Sequence, residues 1–160
     1  MRLSNRNKTS VYSFINTLLI MFLAAGTGAY FLEESRIKIL GKESLLLIAV
    51  PLFLILLFYL NGRQIFEYDS EGEALHFRNR NVIPFLQKPL SDEFPKYKLL
   101  KFEVIKVFFM KRLYITISSK NNRTIMLKYE ISYLTKKELT DLRLSLNKVV
   151  KTNKEKSVNR

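Results

Sequence analysis

The stretch from Leu113 to Ile131 reads LYITISSKNNRTIMLKYEI, and its hydrophobic period is two. Leu113, Ile115 and Ile117 alternate with Tyr114, Thr116 and Ser118; after a polar break, Ile125, Leu127, Tyr129 and Ile131 alternate with Met126, Lys128 and Glu130. Successive side chains on a strand point to opposite faces, so each half of this stretch buries one face and wets the other. Asn121-Asn122 between the halves tolerate positive φ, which predicts a β-hairpin.

Upstream, the same period predicts a first hairpin from Gln64–Tyr68 and Ala74–Asn79, turning at Asp69-Ser70-Glu71-Gly72. A longer strand is expected from about Leu99 to Phe109, with a β-bulge where the alternation changes phase at Val104-Ile105. Pro84, Pro89 and Pro95 mark Val82–Lys96 as irregular, with one short edge strand at Ile83–Gln87. Downstream the period switches. Thr135-Lys136-Lys137-Glu138 is a capping box, Leu134 can staple onto Leu139, and Leu139, Leu142, Leu146, Val149 and Val150 form one apolar helical stripe ending near Val150. Leu75, Phe77, Leu113, Ile115, Ile117 and Leu127 should point into the sheet core, with Leu142 docking the helix.

The N-terminal part is a different material. Val11–Leu32 and Ser44–Asn61 carry no charge. At 1.5 Å per helical residue they reach about 33 Å and about 27 Å, against a hydrocarbon core of about 30 Å. Both can span. Tyr30-Phe31-Leu32 carries the first run past its small residues, which argues against a cleaved signal. Pro51 is tolerable inside a membrane helix. Glu33–Glu43 leaves room only for a tight connection, so the spans form an antiparallel hairpin. Ala24/Gly28 and Ala25/Ala29 are small-xxx-small pairs that admit a neighbouring helix, either the second span or a second copy. The reading along the chain is therefore a basic segment over 1–10, a transmembrane hairpin over 11–61 (spans 11–32 and 44–61), one domain over 62–150 and a frayed basic tail over 151–160. Arg2, Arg6, Lys8, Arg63, Arg78 and Arg80 flank the hairpin, against Arg36, Lys38 and Lys42 in its loop, which favours both termini in the cytoplasm.

These elements give an α+β membrane protein: a two-helix transmembrane hairpin, then an antiparallel sheet capped by one C-terminal amphipathic helix. With a Pro before the long middle strand (Glu93-Phe94-Pro95-Lys96-Tyr97-Lys98-Leu99-Leu100-Lys101-Phe102), the arrangement resembles the bacterial pleckstrin-homology-like (PH-like) domains found on small proteins with two N-terminal spans. The resemblance implies a sheet or barrel of up to seven strands, a multi-pass protein of a bacterial cell membrane, and a non-catalytic scaffold that binds lipid, protein or another copy of itself. It transfers no site residues.

Residues 62–160 hold 21 Lys and Arg against 11 Asp and Glu. The chain has no cysteine and a single histidine, His76, so neither a Cys/His nucleophile pair nor an ordinary zinc site can be assembled. Asp69, Glu71 and Glu73 read as a solvated turn, and no phosphate-binding glycine loop occurs. No enzyme, cofactor or metal is expected. The remaining chemistry is basic: Lys111-Arg112 in one turn and Lys120 to Arg123 in another are the candidate contacts for anionic lipid head groups, each worth about 1 kcal/mol near a charged leaflet. The expected function is a membrane-anchored binding or accessory module contacting anionic lipid or a protein partner. Alternatives are a self-associating structural protein, or a nucleic-acid binder through Arg78-Asn79-Arg80-Asn81 beside Phe77, which no recognised motif supports.

Overall fold

The structure is a computed structural model that describes residues 1–83, 88–119 and 123–158. The chain divides into two compact units: Ser10–Leu60, and Met1–Thr9 together with Asn61–Arg160.

In the first unit, α1 (Thr9–Leu32) and α2 (Leu46–Leu60) are joined through a π-helical turn, Glu33–Ile37, and a 3-10 turn, Gly41–Leu45. Glu33 shapes the reversal. Its backbone carbonyl accepts the Lys38 N–H at 2.9 Å and its buried carboxylate accepts the Leu40 N–H, while Lys38 turns the chain at φ +50°. Counting the flanking turns, the two helices run over Arg6–Ile37 and Gly41–Leu60, and both are long and apolar enough to cross a membrane.

The helices meet at Gly26. Pro51 has no N–H to offer the carbonyl four residues back, that of Leu47. That freed oxygen lies against Gly26: a Cβ built there would stand 2.1 Å from it and 3.3 Å from the Pro51 ring. Only glycine admits this approach. Of the two neighbours the sequence left open for the Ala24/Gly28 pair, the second span is not the one, since both residues are exposed and a methyl on Gly28 would meet nothing within 4 Å. A small residue permits approach on any face, and the face chosen is the one where α2 has an oxygen to satisfy. Buried Asn16 adds a polar tie by accepting the Tyr59 hydroxyl.

The second unit holds seven strands among the described residues. β1 (Arg2–Ser4), β2 (Ile65–Asp69), β3 (Ala74–Arg80) and β4 (Leu90–Pro95) form one antiparallel sheet in that order; β5 (Leu99–Val107), β6 (Met110–Ser118) and β7 (Thr124–Glu130) form a second. α3 (Lys136–Val158) follows. Residues 1–10, read as a basic segment, thus include a strand: Arg2, Leu3 and Ser4 pair with Asp69, Tyr68 and Glu67. Asn5 extends the join, donating to the Gln64 carbonyl at 2.7 Å and accepting the Phe66 N–H at 2.8 Å.

The core is where the alternation placed it. Leu75, Phe77, Leu113, Ile115 and Leu142 are fully buried, and Ile117 and Leu127 pack against them part-buried. Phe77 lies between Phe94 and Tyr129, with ring centroids 5.7 and 4.9 Å away and the planes near parallel. No barrel closes. The two sheets are instead bridged by side chains: Asn79 of β3, fully buried, accepts the Glu130 N–H at 2.9 Å and donates to the carbonyls of Glu130 at 3.0 Å and Ile65 at 3.1 Å. Tyr129 donates to Asp92 of β4 at 2.7 Å. Burial, then the Asp92 carboxylate, push the Tyr129 hydroxyl well above its ordinary range, so it stays a donor.

Three local readings differ from the sequence expectation. The register shift falls at Leu99/Lys101 and not at Val104-Ile105, and β5 ends at Val107, so Phe108 and Phe109 belong to the turn. Leu90–Pro95, read as irregular, is an edge strand; it fits between two prolines because Pro95 is its last residue and an edge needs fewer donors. The expected edge strand at 83–87 lies almost entirely outside the described residues. Finally, α3 runs to Val158, so the part of the expected tail over 151–158 is helical. The apolar stripe ends but the helix formers do not: Lys151 and Glu155 pair at i,i+4, and Asn153 donates to the carbonyls of Lys96 at 2.7 Å and Leu99 at 2.9 Å, tying the extension to the sheet. At the other end the capping box forms as read, with Thr135 N–H on Glu138 at 2.7 Å and Glu138 N–H on the Thr135 hydroxyl at 3.2 Å.

Candidate functional site

The four candidate head-group contacts fall at two places. Lys111 and Arg112 open β6 beside the β5–β6 turn. Lys111 is held on three sides: its N–H donates to the Ser132 hydroxyl at 3.0 Å, its carbonyl accepts the Ile131 N–H at 2.9 Å, and its ammonium reaches the Leu134 carbonyl at 3.4 Å. Arg112 pairs in register with Glu130. Arg123 is exposed just before β7, and Lys120 lies outside the described residues. Lys111 and Ser118 mark opposite ends of β6, about seven residues or roughly 24 Å apart. The two turns are therefore separate surfaces and the structure does not bring them together.

Within the strand-rich unit, two further ion pairs involve residues close in sequence to α1 and α2. Arg63, three residues after α2 ends, donates its N–H to Glu130 Oε2 at 2.8 Å, and its guanidinium reaches the same oxygen at 3.3 Å. Gly62 lies flat beneath that carboxylate at φ +86°; a Cβ there would come within 2.7 Å of the Glu130 side chain. The second pair is alike. Lys8, just before α1, meets Glu138 at 3.1 Å, with both side chains largely shielded. Burial alone would raise the Glu138 carboxyl, but the Thr135 N–H, the Lys8 ammonium and the Thr135 hydroxyl together hold it below its ordinary value. Glu138 was legible as the capping-box acid, but its pairing with Lys8 and that of Glu130 with Arg63 were not, because each partner is far away in sequence.

Elsewhere on the basic surface some side chains are engaged within the domain. Lys101 pairs with Glu103, and the Lys96 ammonium is bound to the Gly72 carbonyl. The outer face of the first sheet is a shallow concavity with two ion pairs, Arg2 with Asp69 at 3.8 Å and Arg78 with Glu67 at 3.8 Å, and with the His76 ring 3.4 Å from the Glu93 carboxylate. This leaves Arg78 engaged with a carboxylate, which does not suit a phosphate-tracking groove. Asp69 accepts the Glu71 N–H at 2.8 Å within its own turn. Among the described residues, no three His, Cys, Asp or Glu side chains gather in an arrangement fit for a metal ion.

Among the described residues no carboxylate forms an ion pair with Lys106, Lys111 or Arg112, although Glu130 stands opposite Arg112 in the ladder. Comparison with protein-family models, curated proteins and solved structures gave no significant match.

Proposed function

We propose that this chain is a membrane-anchored, non-catalytic binding module whose basic C-terminal domain rests on the anionic cytoplasmic leaflet of a bacterial cell membrane. One observation carries the reading: Lys106, Lys111 and Arg112, which form no ion pair among the described residues, cluster at one end of the β5–β6 pair, and Glu130, opposite Arg112, grips Arg63 just after α2. Only four residues, Asn61 to Gln64, link α2 to β2, so the tether is short. Three such charges are worth about 3 kcal/mol against an anionic surface at close range.

The pairing of β1 with β2 supports a shared side for the two ends of the hairpin, since strands cannot pair across a bilayer. The excess of Lys and Arg outside the hairpin supports that side being the cytoplasm. Four strands in one sheet, three in a second and a terminal helix support the PH-like reading, with the hairpin inserted between the first and second strands.

The test uses the whole chain in lipid nanodiscs and reads lysine acylation by mass spectrometry. Phosphatidylglycerol added to phosphatidylcholine should slow modification of Lys106 and Lys111 relative to exposed Lys148, and salt near 1 M, where the Debye length is about 3 Å, should reverse it. Equal rates in both lipids would overturn the reading. A second reading, self-association, is favoured by the open Ala24/Gly28 ridge on α1. Crosslinked self-adducts that disappear in Gly28→Ile would support it, and their absence from the unsubstituted chain would dismiss it.

A further inference from the structure

The hairpin joining β5 to β6 ends in apolar side chains that the domain does not use. Val107 pairs with Met110 across a two-residue turn made of Phe108 and Phe109. Phe108 is 87% exposed, more than any other large apolar side chain among the described residues, and Ile105, Val107 and Phe109 beside it are exposed as well. None of the four belongs to the buried core or packs against it. Phe108 also has φ +53°, at the first central position of the turn, where primed hairpin turns place glycine or asparagine. A bulky side chain adopts that conformation only against steric resistance. Exposure and strain at one residue point to a role outside the fold.

Its neighbours say what the tip meets. Lys106 and Lys111 stand directly opposite each other on the paired strands, and Arg112 follows. Like charges so placed repel, and an anion between them relieves the repulsion. An apolar point flanked by cations that form no ion pair among the described residues matches the boundary between lipid phosphates and acyl chains, where aromatic and basic side chains occupy adjacent depths. Distance agrees. Arg112 pairs with Glu130, which holds Arg63 just after α2, and Met110, at the foot of the Phe108-Phe109 turn, is two strand residues from Arg112, roughly 7 Å.

We infer that the Phe108–Phe109 turn is an interfacial anchor that inserts its rings into the anionic leaflet while Lys106, Lys111 and Arg112 bind lipid phosphates. This rests on the reading that the domain lies at the surface of the bilayer its helices cross. The anchor would fix the orientation of the domain and so decide which of its faces is left open to the cytoplasm.

The chain contains no tryptophan, so a single introduced indole reports without interference. Phe108→Trp, Phe109→Trp and, as a control at the opposite end of β5, Tyr97→Trp are placed in the full chain and reconstituted into mixed phosphatidylcholine and phosphatidylglycerol vesicles. Insertion of about 5–10 Å should let lipids brominated on the acyl chain remove about half of the emission at 108 or 109 and leave position 97 unquenched. Energy transfer to dansyl-labelled head groups is read in parallel. Transfer without bromolipid quenching at both 108 and 109 would overturn the anchor while leaving the surface reading intact. Neither transfer nor quenching would overturn both.

Discussion

Replacing Asn79 with alanine removes the most heavily used side chain at the seam between the two sheets. The amide makes three hydrogen bonds at full burial: one accepted from the Glu130 N–H and two donated to the carbonyls of Ile65 and Glu130. Truncation orphans one buried donor and two acceptors. At about 1–3 kcal/mol for each unsatisfied group, and with a water able to enter the vacated volume and recover part of this, the expected cost is about 3–5 kcal/mol. Against a typical domain stability of about 5–15 kcal/mol that is a severe loss. Pulse proteolysis of the full chain in mild detergent across a urea series reads it as a lowered midpoint for cleavage of the domain. Asn153→Ala supplies the scale: it loses two hydrogen bonds at a part-exposed position where water substitutes, for about 1 kcal/mol. A loss below about 0.5 kcal/mol for Asn79→Ala would refute the argument that side chains, in place of a closed ladder, hold the sheets together.

Three further outcomes follow from the same contacts. Ile115→Asp buries a carboxylate at a fully enclosed position, so it should cost about 4 kcal/mol or more and unfold the domain while membrane insertion persists; retained cooperative unfolding would contradict the strand assignment. Gly26→Val forces carbons onto the Leu47 carbonyl and should part the helices, seen as slower crosslinking between cysteines introduced at Asn16 and Tyr59. Glu138 contributes most while ionised: its folded pKa is depressed, so that stability is fully present above the ordinary value of 4.5 and is lost as pH falls through the lower folded value. The difference in urea midpoint between the unsubstituted chain and Glu138→Gln should therefore shrink only below about pH 4.5.

Local order explains what could be read from the sequence. Strands β6 and β7 and the capping box at Thr135 are each specified by residues within a few positions of one another, and the structure returns them with β6 starting three residues earlier than read and β7 shifted by one. What escaped is non-local or short. Arg-Leu-Ser is too brief to show a period, and it becomes β1 only by pairing with residues more than sixty positions away. Pro89 and Pro95 suggested irregular chain because a proline rule speaks of interior strands, whereas β4 is an edge. Beyond Val150 no apolar residue sustains the helical stripe, yet Asn153 holds the helix to the sheet by polar bonds that no hydrophobic pattern reveals. Basic turns were visible as composition. That Lys111-Arg112 and Arg123 stand at opposite ends of a strand needed the register, and that Phe108-Phe109 form a turn needed the bulge to be moved to the start of β5.

The central claim is that the two helices cross a bilayer and leave the strand-rich unit on its inner side. Because the chain has no cysteine, single cysteines at Ile39, in the hairpin loop, and at Glu71, in the β2–β3 turn, can be labelled in intact cells with a membrane-impermeant maleimide. The account predicts rapid labelling at position 39 and labelling at position 71 only after the cells are opened. Labelling of position 71 in intact cells, or protection of position 39 there, would contradict it.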